Sequence, residues 1–151
     1  MNIAIGSDHA GYEYKGFITE YLEEKGHNVI DCGTFSSEAA DYPDYAYDTA
    51  QKVVSKEAEF GILICGTGIG ISIAANKVEG IRAAVVSTEF TAESSKTHNH
   101  ANVIAFGSRV NTIEEVLHFL DVFMNAKWSK AERHTKRVDK IRKIEVGKWE
   151  K

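Results

Sequence analysis

One junction constrains this chain more than any other. A six-residue apolar run, Phe60–Cys65, leads directly into Gly66-Thr67-Gly68-Ile69-Gly70, and Ile71–Asn76 then reads as a helix built largely from small residues. The run is too short for a core helix and carries no polar alternation. It predicts a strand covered on both faces, which is the environment of a parallel sheet. A glycine-rich turn from such a strand into a helix belongs to the strand–loop–helix unit of α/β folds.

The remaining chain repeats that unit. Asn2–Gly6, Val29–Cys32, Ile81–Val86 and Val103–Phe106 read as further strands. Tyr14, Phe17, Ile18, Tyr21 and Leu22 recur at helical spacing, and that helix is expected to stop at Gly26. Residues 33–44, with the only proline at 43, read as a turn-rich stretch, followed by a helix through Tyr47, Ala50, Val53 and Val54. Thr88–Thr97 and Ile113–Met124 read as two more helices, and Glu132–Ile144 as a last one with Val138, Ile141 and Ile144 on its apolar side. The expected architecture is a single three-layer Rossmann-like α/β domain. It has a mainly parallel five-stranded sheet and a C-terminal helix, divided as a core over 1–126 and a basic extension over 127–151. Right-handed crossovers gather strand-to-helix loops at one edge of such a sheet. On that basis the loops at Asp8, Cys65 and His98-Asn99 are expected to converge.

Charge limits the function classes. The chain carries 18 Lys/Arg against 22 Asp/Glu, a formal charge of −4, which argues against a general nucleic-acid binder. The distribution is uneven: residues 127–151 hold ten Lys/Arg and four Asp/Glu, while 1–126 hold eight and 18. The basic tail therefore suits an anion, the acidic body or a second subunit. Two cysteines, Cys32 and Cys65, make no disulfide framework. No segment reads as a membrane span or a signal peptide, so the expected setting is the cytoplasm.

Several loops carry reactive groups. The Gly66, Gly68 and Gly70 positions allow close backbone approach and can aim N–H groups at an anion; Cys65 at the strand end is a thiol beside a helix start. A plain glycine turn beside a core cysteine fits the segment equally. The spacing is GxGxG, with Ile71 where a dinucleotide fingerprint has glycine, and no Walker lysine follows. Asp8 and His9 can bind hydroxyls or phosphate, or be a helix cap and a surface residue. Asp41-Tyr42-Pro43-Asp44 is a turn or a pocket wall. His98 can transfer a proton and Asn99 can hold an oxygen. His98 and His100 complete no zinc pattern, so no metal is expected. Arg133 and Arg137 lie four apart on one helical face, as phosphate ligands or as a basic surface; Arg109 is open in the same way.

Taken in order, these stretches closely resemble the sugar-phosphate isomerase family that contains the type B ribose-5-phosphate isomerases and the galactose-6-phosphate isomerase subunits. The resemblance runs from Ile3 to about Ile144. It rests on Gly6-Ser7-Asp8-His9-Ala10-Gly11, Asp41-Tyr42-Pro43 and Ile64–Ser72, then on Ala74-Ala75-Asn76-Lys77, Gly80-Ile81-Arg82-Ala83, His98-Asn99 and Asn102-Val103, and finally on Gly107-Ser108-Arg109-Val110 and Arg133-His134 with Arg137-Val138.

That resemblance implies a cofactor-independent aldose–ketose isomerase converting D-ribose 5-phosphate to D-ribulose 5-phosphate through a cis-enediolate. It implies Cys65 as the base, and His98 with Thr67 for opening the sugar ring. It places Asp8, Tyr42 and Asn99 on the substrate, and the backbone of Gly66, Gly68, Ile69 and Gly70 around the developing oxyanion. His9, Arg133 and Arg137 fall on phosphate-binding positions, and Arg109 on another position associated with the pocket. Ala74 and Ala75 stand on the helix where some members carry a glutamate base, so the chain resembles the cysteine-dependent branch. A homodimer sharing its active sites is implied, with tetramers in some relatives. The alternatives are a six-carbon substrate, allose 6-phosphate or galactose 6-phosphate, or a sugar-phosphate-binding protein without turnover. Neither nucleic acid nor a membrane is an expected partner.

Overall fold

A computed structural model describes residues 1–151. Five parallel strands, β1 (Asn2–Ser7), β2 (Asn28–Asp31), β3 (Phe60–Cys65), β4 (Ala83–Val85) and β5 (Val103–Gly107), form one sheet in the order β2-β1-β3-β5-β4. The helices are α1 (Tyr12–Glu24), α2 (Tyr42–Val54), α3 (Ile69–Ala75), α4 (Glu89–Thr97), α5 (Ile113–Asn125) and α6 (Glu132–Glu145). The strand order decides their faces. Crossovers β1→β2 and β4→β5 run one way along the sheet; β2→β3 and β3→β4 run the other way. With one handedness, α1 and α4 cover one face and α2 and α3 the opposite face. The packing agrees: Ile18 and Leu22 of α1, Ala92 of α4 and Val116, Phe119, Leu120 and Phe123 of α5 share one core, while Ala46, Ala50 and Val53 of α2 and Ile71 and Ala75 of α3 share the other.

Period-two alternation sorts the strand residues between these cores. Ile3, Ile5, Ile62, Ile64, Ile104 and Phe106 meet the α1/α5 side; Ala4, Leu63, Cys65, Val103 and Ala105 meet the α2/α3 side. The first set is bulky, each side chain contributing about 1.5–3 kcal/mol by leaving water. The second is small, which lets α2 approach closely. A Cβ on Gly6 would lie 2.4 Å from Thr49 Oγ1, so only glycine fits there.

Several element boundaries shift by a few residues, β2 to Asn28–Asp31 and the start of α3 to Ile69 among them, and two shifts have a clear cause. α2 begins at Tyr42, so Pro43 sits in its first turn rather than in a loop; proline is tolerated there because that N–H has no helical acceptor. β4 is shorter than Ile81–Val86. Ile81 N–H instead donates to Val78 O, and Arg82 N–H donates to Asn102 Oδ1 at 2.7 Å. Among the last helix's residues only His134 is buried; Ile141 and Ile144 remain exposed. No helix is long and apolar enough to cross a membrane.

Candidate active site

The C-terminal ends of β1, β3 and β5 lie side by side, with Ser7 paired to Ile64 and Cys65 to Gly107. Each strand end therefore delivers its following loop to one place. Cys65 Sγ, nearly buried, accepts a hydrogen bond from Gly68 N–H at 3.1 Å. Gly68 reaches that position with φ +77° and with its Cα against the Phe106 backbone. Thr67 Oγ1 accepts from Ile69 N–H at 3.2 Å, and the N–H groups of Gly66 and Thr67 have no acceptor within the chain. The loop thus holds a sulfur beside unpaired backbone donors. That arrangement can take a proton from carbon and stabilise the oxygen charge that results.

Three neighbouring segments wall this loop. Asp8 Oδ1 caps the 3-10 turn His9–Gly11 by accepting from Ala10 N–H at 2.9 Å and Gly11 N–H at 3.2 Å, while Oδ2 has no partner. The cap and the pocket readings of Asp8 are therefore compatible, one oxygen for each. His9 Nδ1 accepts from Ala40 N–H at 3.2 Å, which leaves Nε2 as the protonated donor in the neutral ring. The Tyr42 ring lies over Gly70, where a Cβ would approach its Cζ to 2.7 Å. From β5, Ser108 N–H donates to Cys65 O at 2.9 Å and Arg109 N–H to Gly66 O at 3.0 Å. The Arg109 guanidinium lies beside Gly66, and Ser108 Oγ donates to Ala10 O at 2.7 Å, fastening the first loop to the last.

His98 and Asn99 are not at this edge, contrary to the expected convergence. They follow α4 and precede β5, so they belong to a helix-to-strand connection. Such loops lie at the N-terminal edge of a parallel sheet, opposite the strand-to-helix loops. The register fixes the separation: Val103 pairs with Gly61 and Gly107 with Cys65, four residues or about 13 Å along the strand. Asp8, His9, Tyr42, Cys65, Thr67, the glycine loop and Arg109 form one cluster. His98 and Asn99 form another, joined by α6.

The second cluster has its own scaffold. The His98 and His134 rings lie 4.5 Å apart at 34°, His134 Nδ1 meets Ser129 Oγ at 2.6 Å, and Ser129 N–H donates to Thr97 O. Trp128 stacks on His100 at 4.9 Å. Burial, then the Arg133 guanidinium, His98 and Arg137, hold His134 below its ordinary pKa, which favours the neutral ring. Arg133 and Arg137 flank it on the exposed side of α6. Arg82 donates from Nε to Asn99 O at 3.2 Å and from Nη2 to His100 O at 2.8 Å; Asn102 ties Arg82 N–H to Gly80 O. Arg82, Ser129 and His134 were not singled out as site supports by sequence reasoning. A buried histidine beside a basic pair was the available signal. No three His, Cys, Asp or Glu side chains gather as a metal site would require.

The model of the Ribose/Galactose Isomerase family matches residues 3–141. The chain belongs to that family. It is 50% identical over 143 residues to ribose-5-phosphate isomerase B of Escherichia coli strain K12, covering 95% of each chain. Among solved structures, ribose-5-phosphate isomerase B of Clostridium thermocellum superposes with a TM-score of 0.95 at 48% identity, covering 97% of this chain and 99% of that one. The Mycoplasma genitalium enzyme, solved with bound ribulose-5-phosphate, gives 0.91 at 44% identity and 96% coverage of both. The five-stranded parallel fold is thus shared with these structures.

Proposed function

We propose that this protein interconverts D-ribose 5-phosphate and D-ribulose 5-phosphate without a cofactor, in sites built by two copies of the chain. The observation that carries the chemistry is the Cys65 sulfur set in a loop of backbone donors, in a chain about half identical to a ribose-5-phosphate isomerase B. In the open aldose, Cys65 takes the proton on C2. The electron pair moves into a C1–C2 double bond and the carbonyl oxygen becomes an enediolate oxygen facing Gly66 and Thr67 N–H. The proton returns to C1, and a proton passes from O2 to O1, leaving the ketose. Donors fixed before reaction favour the charged transition state over the neutral substrate.

His98, with Thr67, opens the furanose: the anomeric O1 hydroxyl loses its proton, C1=O1 forms as the C1–O4 bond breaks, and a proton is delivered to O4. Asp8 Oδ2, Tyr42 and Asn99 hold sugar hydroxyls. His9 Nε2–H, Arg109, Arg133 and Arg137 hold the phosphate, whose binding energy positions the reacting carbons. Because His98, Asn99 and the α6 arginines sit at the opposite edge from Cys65, a second copy must supply them. The basic extension over 127–151 is the arm that carries Arg133 and Arg137 to a partner, beside His98 and Asn99 of the core.

The family description also includes galactose isomerases, so a six-carbon sugar phosphate is the second reading. Steady-state kcat/KM of the purified chain, with EDTA, on ribose 5-phosphate and on allose 6-phosphate decides between them. Preference for the pentose, with deuterium from D2O entering C1 of the product and activity lost in Cys65→Ala, is expected. A folded, assembled protein that turns over only the hexose overturns the substrate. Wild-type turnover by Cys65→Ala overturns the base.

A further inference from the structure

A third cluster of charged groups plays no part in the reaction above. Where α2 ends and β3 begins, a cavity of about 320 Å³ is lined by Lys56, Glu59, Arg82, Lys96 and His100. Three of these five side chains are permanent cations at neutral pH and one is an anion. None of Lys56, Arg82 or Lys96 enters any ion pair of the chain. Lys96 is half-buried, its ammonium 5.2 Å above the Phe123 ring, and has no hydrogen-bond acceptor. Arg82 spends Nε and Nη2 on the Asn99 and His100 carbonyls, and Nη1 donates to nothing. Burial, reinforced by Arg82, pulls Lys96 below its ordinary range; burial, then Arg82 and Lys96, do the same to His100. Arg82 and Lys96 are thus partly desolvated cations that repel one another, only partly offset by the charges of Glu145 and Glu59, and such an arrangement is costly.

We propose that this pocket is a second anion site, which binds a phosphate dianion, free or as a phosphomonoester, apart from the sugar-phosphate site. The net charge of its walls is two positive, matching such a dianion. A guanidinium edge and two ammonium groups are suited donors for its oxygens. The concave shape and small volume fit one phosphate group rather than a nucleic-acid backbone, which the acidic body would repel. Arg82 also links the pocket to the substrate-binding edge, since the same guanidinium holds the Asn99 carbonyl.

The inference goes beyond the isomerase reading and is tested without turnover. The assembled Arg133→Ala/Arg137→Ala protein, which lacks two of the four proposed substrate-phosphate ligands, is titrated with inorganic phosphate by calorimetry and by phosphorus NMR, and the lysine variants separate the pocket from any site left at His9 and Arg109. Saturable binding of one equivalent is expected. In that background Lys96→Met or Lys56→Met should weaken it about tenfold or more, whereas Lys96→Arg should retain it. Lys56 is fully on the surface, so its variant tests the site even if Lys96→Met fails to fold. Absence of saturable binding in the arginine double variant, or unchanged affinity in Lys56→Met and in folded Lys96→Met, overturns the proposal. Glycerol 3-phosphate in parallel distinguishes the sources: tighter binding than phosphate assigns a phosphomonoester, and equal or weaker binding assigns the free ion.

Discussion

The division of the site between two sheet edges makes a prediction about mixtures of inactive chains. Cys65→Ala removes the proposed base at the C-terminal edge; His98→Ala removes the proposed ring-opening group at the N-terminal edge. Within one chain the two edges are separated by the Gly61–Cys65 span of β3, about 13 Å, with the sheet between them. If each site pairs the first edge of one copy with the second edge of its partner, a mixed dimer has one site with both residues intact and one with neither. Random reassortment of equal amounts makes half the dimers mixed. Activity on cyclic ribose 5-phosphate should therefore recover to about a quarter of wild type, although neither parent is active. The two variants are co-refolded from denaturant, or co-expressed with different tags, and kcat is measured per chain. The control pairs Cys65→Ala with Thr67→Ala. Both lie at the same edge, so no mixed dimer regains a complete site and no recovery is expected. Recovery in the control, or none in the Cys65→Ala/His98→Ala mixture despite proven mixed dimers, refutes the two-copy site.

Other perturbations probe the parts separately. Gly68→Ala puts a Cβ 3.0 Å from the Phe106 backbone at φ +77°, so about 1–2 kcal/mol of left-handed strain and about 1–3 of crowding should lower stability in urea unfolding. Gly16→Ala, in the exposed middle of α1 with nothing within 4 Å, should instead gain about 0.5–1 kcal/mol at equal chain concentration. Arg137→Ala should raise KM for ribose 5-phosphate by about ten- to a hundredfold through loss of a charge-assisted contact, and an unchanged kcat/KM would reject that contact. His134 is held below its unfolded pKa of about 6.5, so the unfolded chain binds more protons there. Its contribution is complete above that value and is lost as pH falls through it, so denaturation midpoints should drop between about pH 7 and pH 5, less steeply in His134→Gln.

Most of the fold was legible because burial on both faces writes itself into strand composition. Phe60–Cys65 has no polar residue and forms β3 with those same limits. Thr88 and Thr112 each close a capping box at the start of a helix, so α4 and α5 begin where expected. The glycine loop was legible for a related reason: Gly68 and Gly107 sit where backbone presses on backbone, and no other residue fits. The error at His98 was different in kind. The order helix, His98-Asn99, strand already assigned that loop to the far edge, but chemical suitability for the Cys65 loop drew it to the near one. The long-range hydrogen bonds, Ser108 to Ala10 and Ala40 to His9, join residues with no local pattern between them. Periodicity carries no trace of such contacts.

The last helix is weakly held by its own chain. A 14-residue helix is marginal by itself, and α6 buries only His134 against its own chain. Val138, Ile141 and Ile144 border open grooves, the larger a cavity of about 720 Å³ shared with Ile81 and Ala84, and Glu145 reaches Gly80 N–H at 3.1 Å across them. Exposed Ile69 and Ile73 on α3 leave a second apolar surface beside the glycine loop. Charge follows the same division, since the basic extension is opposed by an acidic body. Both edges of the sheet therefore present half of the proposed site next to apolar surface that the chain itself does not cover. One contact that joined the glycine-loop edge of one copy to the His98 edge of another would bury that surface, pair those charges and complete the catalytic groups together. Assembly and catalysis would then depend on the same residues, and α6 would be determined more strongly by its partner than by its own core.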